Sequence, residues 1–260
     1  MQKKRYLVFE KDFVWLEQTA LGWQLPNNAT LLPYIDLANE QSLCVFNEQL
    51  LCAVDFSDTL NVPSSLMRHH LRACVHLLTP ELFNVLAKAK QLREWQQTHR
   101  FCGRCGFNTI SADAGKARAC PACQLVAYPR ISPCIMVAVY RGHELLLARS
   151  AHFRPDLYSV LAGFIEVGES AEECAHREAY EEVGIRMGQL QYFGSQPWPF
   201  PHQLMLAYSA PYLSGDVRCD PSEIEAAHWF TVENLPLLPE AHTLSRQLLQ
   251  HVIDTKLTSF

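Results

Sequence analysis

The chain has 260 residues, 48% of them apolar and 19% charged, and a net charge of −5. That length supports one large domain or two smaller ones with real cores, and no run of 18 apolar residues is present to span a membrane. The negative balance argues against broad electrostatic coating of nucleic acid, while leaving recognition of a single RNA end open.

The chain opens Met1-Gln2-Lys3-Lys4-Arg5, and the apolar stretch that follows is soon broken by Glu10, Lys11 and Asp12. A secretory signal needs a longer apolar run and a small-residue cleavage site, so the expected location is cytoplasmic. Short apolar runs at Tyr6–Phe9, Leu43–Phe46 and Leu51–Val54, separated by polar clusters such as Pro26-Asn27-Asn28, read as strands. A helix is expected from about Pro80 to Gln97, where Leu82, Val85, Leu86, Ala89, Leu92 and Trp95 keep helical spacing. Residues 1–98 thus form an N-terminal domain of short strands closed by a helix. It shows no recognisable chemistry and reads as a packing or dimerisation domain.

Residues 99–128 hold Cys102-x2-Cys105 and, 14 residues on, Cys120-x2-Cys123. Two such knuckles at this separation can set four thiolates tetrahedrally around one zinc ion. Gly103, Gly106 and Pro121 suit the tight turns, and Arg100, Arg104, Lys116 and Arg118 can offset thiolate charge. Four cysteines leave no open coordination position, so this zinc, one per chain, is structural. The other six of the ten cysteines (Cys44, Cys52, Cys74, Cys134, Cys174 and Cys219) have no ligand spacing and read as small buried apolar residues.

Residues 129–260 read as strands around one strong helix. Ser170 followed by Glu173 forms a capping box, and Gly184 suits a helix stop, which bounds a helix at 171–183. Glu178, Glu181 and Glu182 fall at i, i+3 and i+4 and share a face. Alone, such a run is as consistent with a solvated acidic surface as with a site. Clustered carboxylates are unfavourable without a cation, and Mg²⁺ takes a few carboxylates together with water and phosphate oxygens. Arg177 is placed to pair with Glu169 and fix the loop before the helix.

The whole segment resembles the Nudix box, G-x5-E-x7-R-E-U-x-E-E-x-G-U with U a bulky apolar residue. Its seven fixed positions are matched by Gly163, Glu169, Arg177, Glu178, Glu181, Glu182 and Gly184, while Ala179 is small where a bulky residue is usual. The resemblance implies an α/β (α+β) Nudix fold, a mixed sheet between helices, and hydrolysis of a nucleoside diphosphate linked to another group. It places Glu178, Glu181 and Glu182 as catalytic, Mg²⁺- or Mn²⁺-binding glutamates, and leaves open which of them acts as general base.

Downstream, Ser195-Gln196-Pro197-Trp198-Pro199-Phe200-Pro201 alternates prolines with large aromatics. Proline fixes φ and keeps the stretch out of a central strand, so it reads as a stiff loop in which Trp198 and Phe200 share a face. Such a loop suits a flat ring ligand, and equally a rigid packing corner. It resembles the SQPWPFPxS array of the NADH pyrophosphatase subgroup, with Gln203 in place of the last Ser. Domain order fits that subgroup too, some of whose members remove NAD caps from RNA. By this resemblance Phe164, Trp198, Gln196, Tyr128 and Ser245 contact substrate, Glu223 is a further metal ligand, and the protein is a homodimer sharing its active sites. The substrates implied are NADH, NAD and NAD-capped RNA, cut to nicotinamide mononucleotide and AMP or 5′-monophosphate RNA. The alternatives are a catalytically dead nucleotide- or RNA-binding regulator, and a hydrolase preferring ADP-ribose or dinucleoside polyphosphates.

Overall fold

The computed structural model describes residues 3–57 and 62–257; Met1 and Gln2, part of the sequence on which the signal reading rests, lie outside them. The chain divides into two compact units, 1–130 and 131–260. The cysteine segment therefore belongs to the same unit as the N-terminal strands. Among the described residues no helix is long and apolar enough to cross a membrane.

The first unit carries β1 (Lys3–Glu10), β2 (Phe13–Thr19), β3 (Gly22–Gln24), the short helix α1 (Asn28–Leu31), β4 (Ile35–Phe46), β5 (Gln49–Phe56), β6 (Leu66–His70), α2 (Leu71–Leu77) and α3 (Pro80–Thr98). The strands form one sheet in the order β3-β2-β1-β5-β4, with β6 on β2. The expected runs at Tyr6–Phe9, Leu43–Phe46 and Leu51–Val54 lie within β1, β4 and β5. Helix α3 starts where the sequence places it: the Thr79 side chain caps the Leu82 amide, and Pro80 takes a first-turn position that lacks an intrahelical partner for its nitrogen. Three short strands, β7 (Ile110–Ala112), β8 (Ala117–Ala119) and β9 (Val126–Ala127), follow in a small antiparallel sheet.

The second unit is a seven-stranded mixed sheet with a helix on each face. Its elements are β10 (Ser132–Arg141), β11 (Glu144–Arg149), β12 (Leu161–Phe164), α4 (Ala171–Val183), β13 (Arg186–Met187), β14 (Gln191–Trp198), β15 (Gln203–Ser214), β16 (Ala226–Thr231) and α5 (Leu244–Val252). The order is β13-β15-β10-β11-β16, with β12 also on β10 and β14 also on β15. Alternation along β10 sets the two layers. Ile135, Val137 and Val139 pack with Cys174, Ala175, Ala179 and Val183 of α4. Cys134, Met136 and Ala138 pack with Leu244, Leu248 and Val252 of α5. Ala179 is thus a fully buried part of the α4 layer.

One edge of β10 is divided: residues 134–137 pair with β12, and residues 139–141 pair with β11. All of β11, Glu144–Arg149, pairs with β16 on its other side. Where β11 and β12 part, the sheet opens into a cleft.

The proline-rich array differs from its expected form. Gln191–Trp198 is a strand, antiparallel to β15 with Gln196 opposite Met205 and Trp198 opposite Gln203. Among the described residues β14 pairs only with β15, so it is an edge strand, where proline's missing N–H costs no ladder bond. The Trp198 and Phe200 rings do meet, edge to face with centroids 5.1 Å apart, and Trp198 packs half-buried against the α5 layer.

Candidate active site

Helix α4 is held at both ends by the residues that bounded it in the sequence. Ser170 and Glu173 make the reciprocal capping box, and Gly184 closes the helix in the left-handed region at φ 76°, where a side chain is disfavoured. The last carbonyls of a helix lack intrahelical partners. Here the Glu182 carbonyl accepts from the Asp220 amide (2.9 Å) and the Val183 carbonyl from the Arg218 amide (2.9 Å). Those two bonds dock the 218–225 segment against the end of α4. Asp220 then folds a tight turn by accepting from the Ser222 amide (2.8 Å) and hydroxyl (2.6 Å), and this turn carries Glu223.

The result is a cluster of Glu178, Glu182 and Glu223, each with a carboxylate oxygen within 4.8 Å of the others. Glu178 and Glu182 are buried, 8% and 6% exposed. Burial pushes the Glu182 carboxyl up to about 8, helped by the charges of Glu178 and Glu223. Burial also raises Glu178, against the pull of Arg177. One oxygen of Glu182, Oε2, is buried with no hydrogen-bond partner. A buried carboxylate oxygen left bare beside two other carboxylates is what a divalent cation satisfies, so the donor set fits Mg²⁺ or Mn²⁺.

Glu181 is not in this cluster. Its side chain is 58% exposed and pairs with Arg177 Nη1 at 2.9 Å. The expected Arg177–Glu169 pair is present and bidentate, with Nε to Oε1 at 2.7 Å and Nη2 to Oε2 at 2.9 Å. Arg177 also donates to Glu178 (2.8 Å) and to the Phe164 carbonyl (3.0 Å). One guanidinium thus ties the loop, the strand and the helix together. It holds Glu169 down at about 2.

Gly163 has a steric role. A Cβ there would lie 1.9 Å from the Glu178 carboxyl carbon. The obstructed atoms are the end of a flexible side chain, so Gly163→Ala should fold with a melting temperature close to wild type. The displaced carboxylate should cost turnover roughly 100-fold, because misplacement by about an ångström is enough for that. Paired melting and rate measurements check both halves.

The expected substrate residues fall in several places. Phe164, Cys134, Met205 and Gln196 lie in one row across β12, β10, β15 and β14, on the α5 side of the sheet. Phe164 is 50% exposed. The Gln196 side chain accepts from the Leu244 amide (3.0 Å) at the start of α5, beside half-buried Ser245. Tyr128 lies in the first unit and is exposed.

The cleft between β11 and β12 has a volume of about 550 Å³. Glu182 and Glu223 border it, opposite a wall formed by Ser150, His152 and Phe153. Sequence reasoning passed over this wall, because Ser150–Asp156 shows only turn-forming polarity and proline.

In the first unit the four cysteine sulfurs lie within 4.8 Å of one another, with Cys102–Cys123 and Cys105–Cys120 both at 3.5 Å. Thiolates about 2.3 Å from one zinc stand roughly 3.8 Å apart, so the quartet fits zinc. Backbone amides of Cys105 and Arg104 draw Cys102 down to about 6, and that of Cys123 lowers Cys120; Cys105, despite its hydrogen bond from the Phe107 amide, is pushed up to about 12 by the neighbouring Cys120 thiol, a repulsion that a shared cation relieves. By contrast, burial pushes Cys74, Cys134 and Cys174 up to about 12, as inert apolar residues.

Residues 131–252 match the NUDIX domain, and residues 97–128 match the NADH pyrophosphatase zinc ribbon domain. The chain is 42% identical over 252 residues to the NAD-capped RNA hydrolase NudC of Chromobacterium violaceum, covering 96% of this chain and 92% of that one. It is 43% identical to the enzyme of the same name from Stutzerimonas stutzeri over 216 residues, 83% of this chain and 78% of that one. Among solved structures, a NUDIX hydrolase from Nitrosomonas europaea aligns with a TM-score of 0.51 at 21% identity, over 60% of this chain and 92% of the other. That alignment bears on the fold alone.

Proposed function

We propose that this chain, which belongs to the Nudix hydrolase family in its NADH pyrophosphatase branch, cuts the diphosphate bond of NADH and NAD and removes NAD caps from RNA. The products are AMP, or 5′-monophosphate RNA, and reduced or oxidised nicotinamide mononucleotide. The observation that carries the reading is the cluster of Glu178 and Glu182 on a Nudix-box helix with Glu223 from the docked turn, in a chain 42% identical over nearly its whole length to an NAD-capped RNA hydrolase.

Glu178, Glu182 and Glu223 would hold Mg²⁺ or Mn²⁺, which supplies charge neutralisation at the diphosphate and a lowered pKa for the attacking water. The protein's own part is placement. Gly163 leaves room for the Glu178 carboxylate beneath β12, Arg177 fixes the preceding loop, and the Asp220 turn delivers Glu223. For Glu181 to join the ligands, its carboxylate has to leave Arg177. Phe164, Gln196, Trp198 and Ser245 form the nicotinamide end on the α5 side.

This pocket recognises the nicotinamide whether the adenosine is free or joined to RNA. Trp198→Ala should therefore slow NADH and NAD-capped RNA cleavage together, each roughly tenfold. Loss of one activity with the other intact would refute a shared pocket. Turnover of NADH, NAD and ADP-ribose side by side tests the class, with ADP-ribose expected to be the slowest.

We also infer a homodimer and a cytoplasmic location. One face of the ribbon sheet supports the dimer. Ile110, Ala119 and Val126 lie in one row across its strands, and Ile110 and Val126 are about half exposed. A second copy would cover such a face.

A further inference from the structure

The cleft between β11 and β12 has two walls with different chemistry. One is acidic, with Glu182 and Glu223 at its base; the other presents Ser150, His152 and the half-exposed ring of Phe153. Among the described residues no lysine or arginine lines it, so side-chain charge there does not favour a phosphate. Its volume, about 550 Å³, falls in the ~300–1,000 Å³ range of small-ligand sites.

Its position along β12 is informative. Val160–Ala162 line the cleft, and Phe164 stands at the far end of the strand. Gly163, between them, lies over Glu178. Glu182 and Glu223 border the cleft, so a ligand in it reaches the carboxylate cluster, while Phe164 stands one residue beyond Gly163 along β12. A dinucleotide cut at its central diphosphate needs a place on each side of that cluster.

The two walls are tied together by one residue. Arg149 is 14% exposed and pairs with Glu225 at 3.0 Å. It also donates to the carbonyls of Phe153 (3.2 Å) and Arg154 (2.7 Å), while its own carbonyl accepts from the Glu225 amide (2.8 Å). It spans the loop that carries Phe153 and the turn that carries Glu223.

We propose that this cleft is the subsite for the second nucleoside of the substrate, the adenosine, whose base stacks on Phe153 and whose phosphate end points to the carboxylate cluster, with Arg149 as the positioning residue of both walls. The assignment of the second nucleoside rests on the dinucleotide reading above. Residues 151–156 are exposed, so the outer end of the cleft is open and a chain attached to the ribose has a way out.

The test is direct binding of AMP and of nicotinamide mononucleotide to the full chain with Mn²⁺, by calorimetry, alongside NADH turnover. Phe153→Ala should weaken AMP binding about tenfold, the scale of one lost base–aromatic stack, and leave nicotinamide mononucleotide binding within twofold of wild type. It should raise KM for NADH by a similar factor with little change in kcat, and Phe153→Tyr should restore AMP binding. Unchanged AMP binding in Phe153→Ala, or equal weakening of both nucleotides, would overturn the subsite. A wild type that binds AMP through Phe153 yet cuts no NADH would keep the subsite and remove the dinucleotide reading.

Discussion

Glu182→Gln should lower NADH hydrolysis by roughly 10³-fold while making the metal-free protein more stable. The two effects have one cause. Glu182 is buried, its Oε2 has no partner, and two other carboxylates lie within 4.8 Å. Without a cation the cluster is repulsive; with one it becomes the ligand set. A catalytic metal contributes several kcal/mol at the transition state, and each ~1.4 kcal/mol is tenfold in rate. In chelator the sign of the stability change follows from the raised carboxyl. A folded-state value near 8, against an unfolded value near 4.5, means the folded protein keeps a proton that the unfolded chain gives up. Wild type therefore loses stability as pH rises from about 4.5 to about 8, and glutamine removes that loss. The Gln variant should melt a few degrees above wild type at pH 8, near ~1–2 kcal/mol for a domain of this size, and about equally at pH 5. Mn²⁺ should raise the wild-type melting temperature and leave that of the variant nearly unmoved. Scanning calorimetry with and without Mn²⁺ reads all three.

The zinc site should show an effect of comparable size, confined to another part of the chain. Cys105→Ser removes one of four sulfurs that lie within 4.8 Å of each other, around a sheet whose strands span only two or three residues. Such a segment has too little apolar area to fold by itself. Structural zinc contributes on the order of 10 kcal/mol or more in small zinc domains, so losing the site should unfold residues 99–128. Metal analysis should show zinc falling from about one per chain to near none, and trypsin should cut at Arg100, Arg104, Lys116 and Arg118 faster than in wild type. The 131–260 unit has its own two-layered core, and its melting transition should persist. Full zinc retention in the serine variant would contradict a four-thiolate site.

Much of the site was legible in the sequence because its signals are local. A capping box, a glycine stop and the i, i+4 spacing of Glu178 and Glu182 fix a helix and one of its faces without knowledge of the rest of the chain. The cysteine knuckles are local in the same sense. The array from Ser195 was harder. Its prolines excluded a central strand, but nothing nearby showed that β15 offers an edge on which such a segment can still pair. Glu181 was also beyond local reading. Spacing puts it beside Glu178, and only the tertiary position of Arg177 and β12 separates a ligand face from a solvent edge. Least legible was the Ser150–Phe153 wall. It borders the cleft because β11 and β12 part company there and Arg149 pins the loop to a turn some 70 residues on, and neither fact leaves a mark in the local sequence.

The measurement that bears most directly on the central claim is product analysis by chromatography after incubating the purified chain with NADH and Mg²⁺ or Mn²⁺. Equal amounts of AMP and reduced nicotinamide mononucleotide, formed with metal and abolished by chelator, are the predicted result. An enzyme loaded with either metal that leaves NADH intact, or that releases free nicotinamide, would contradict it.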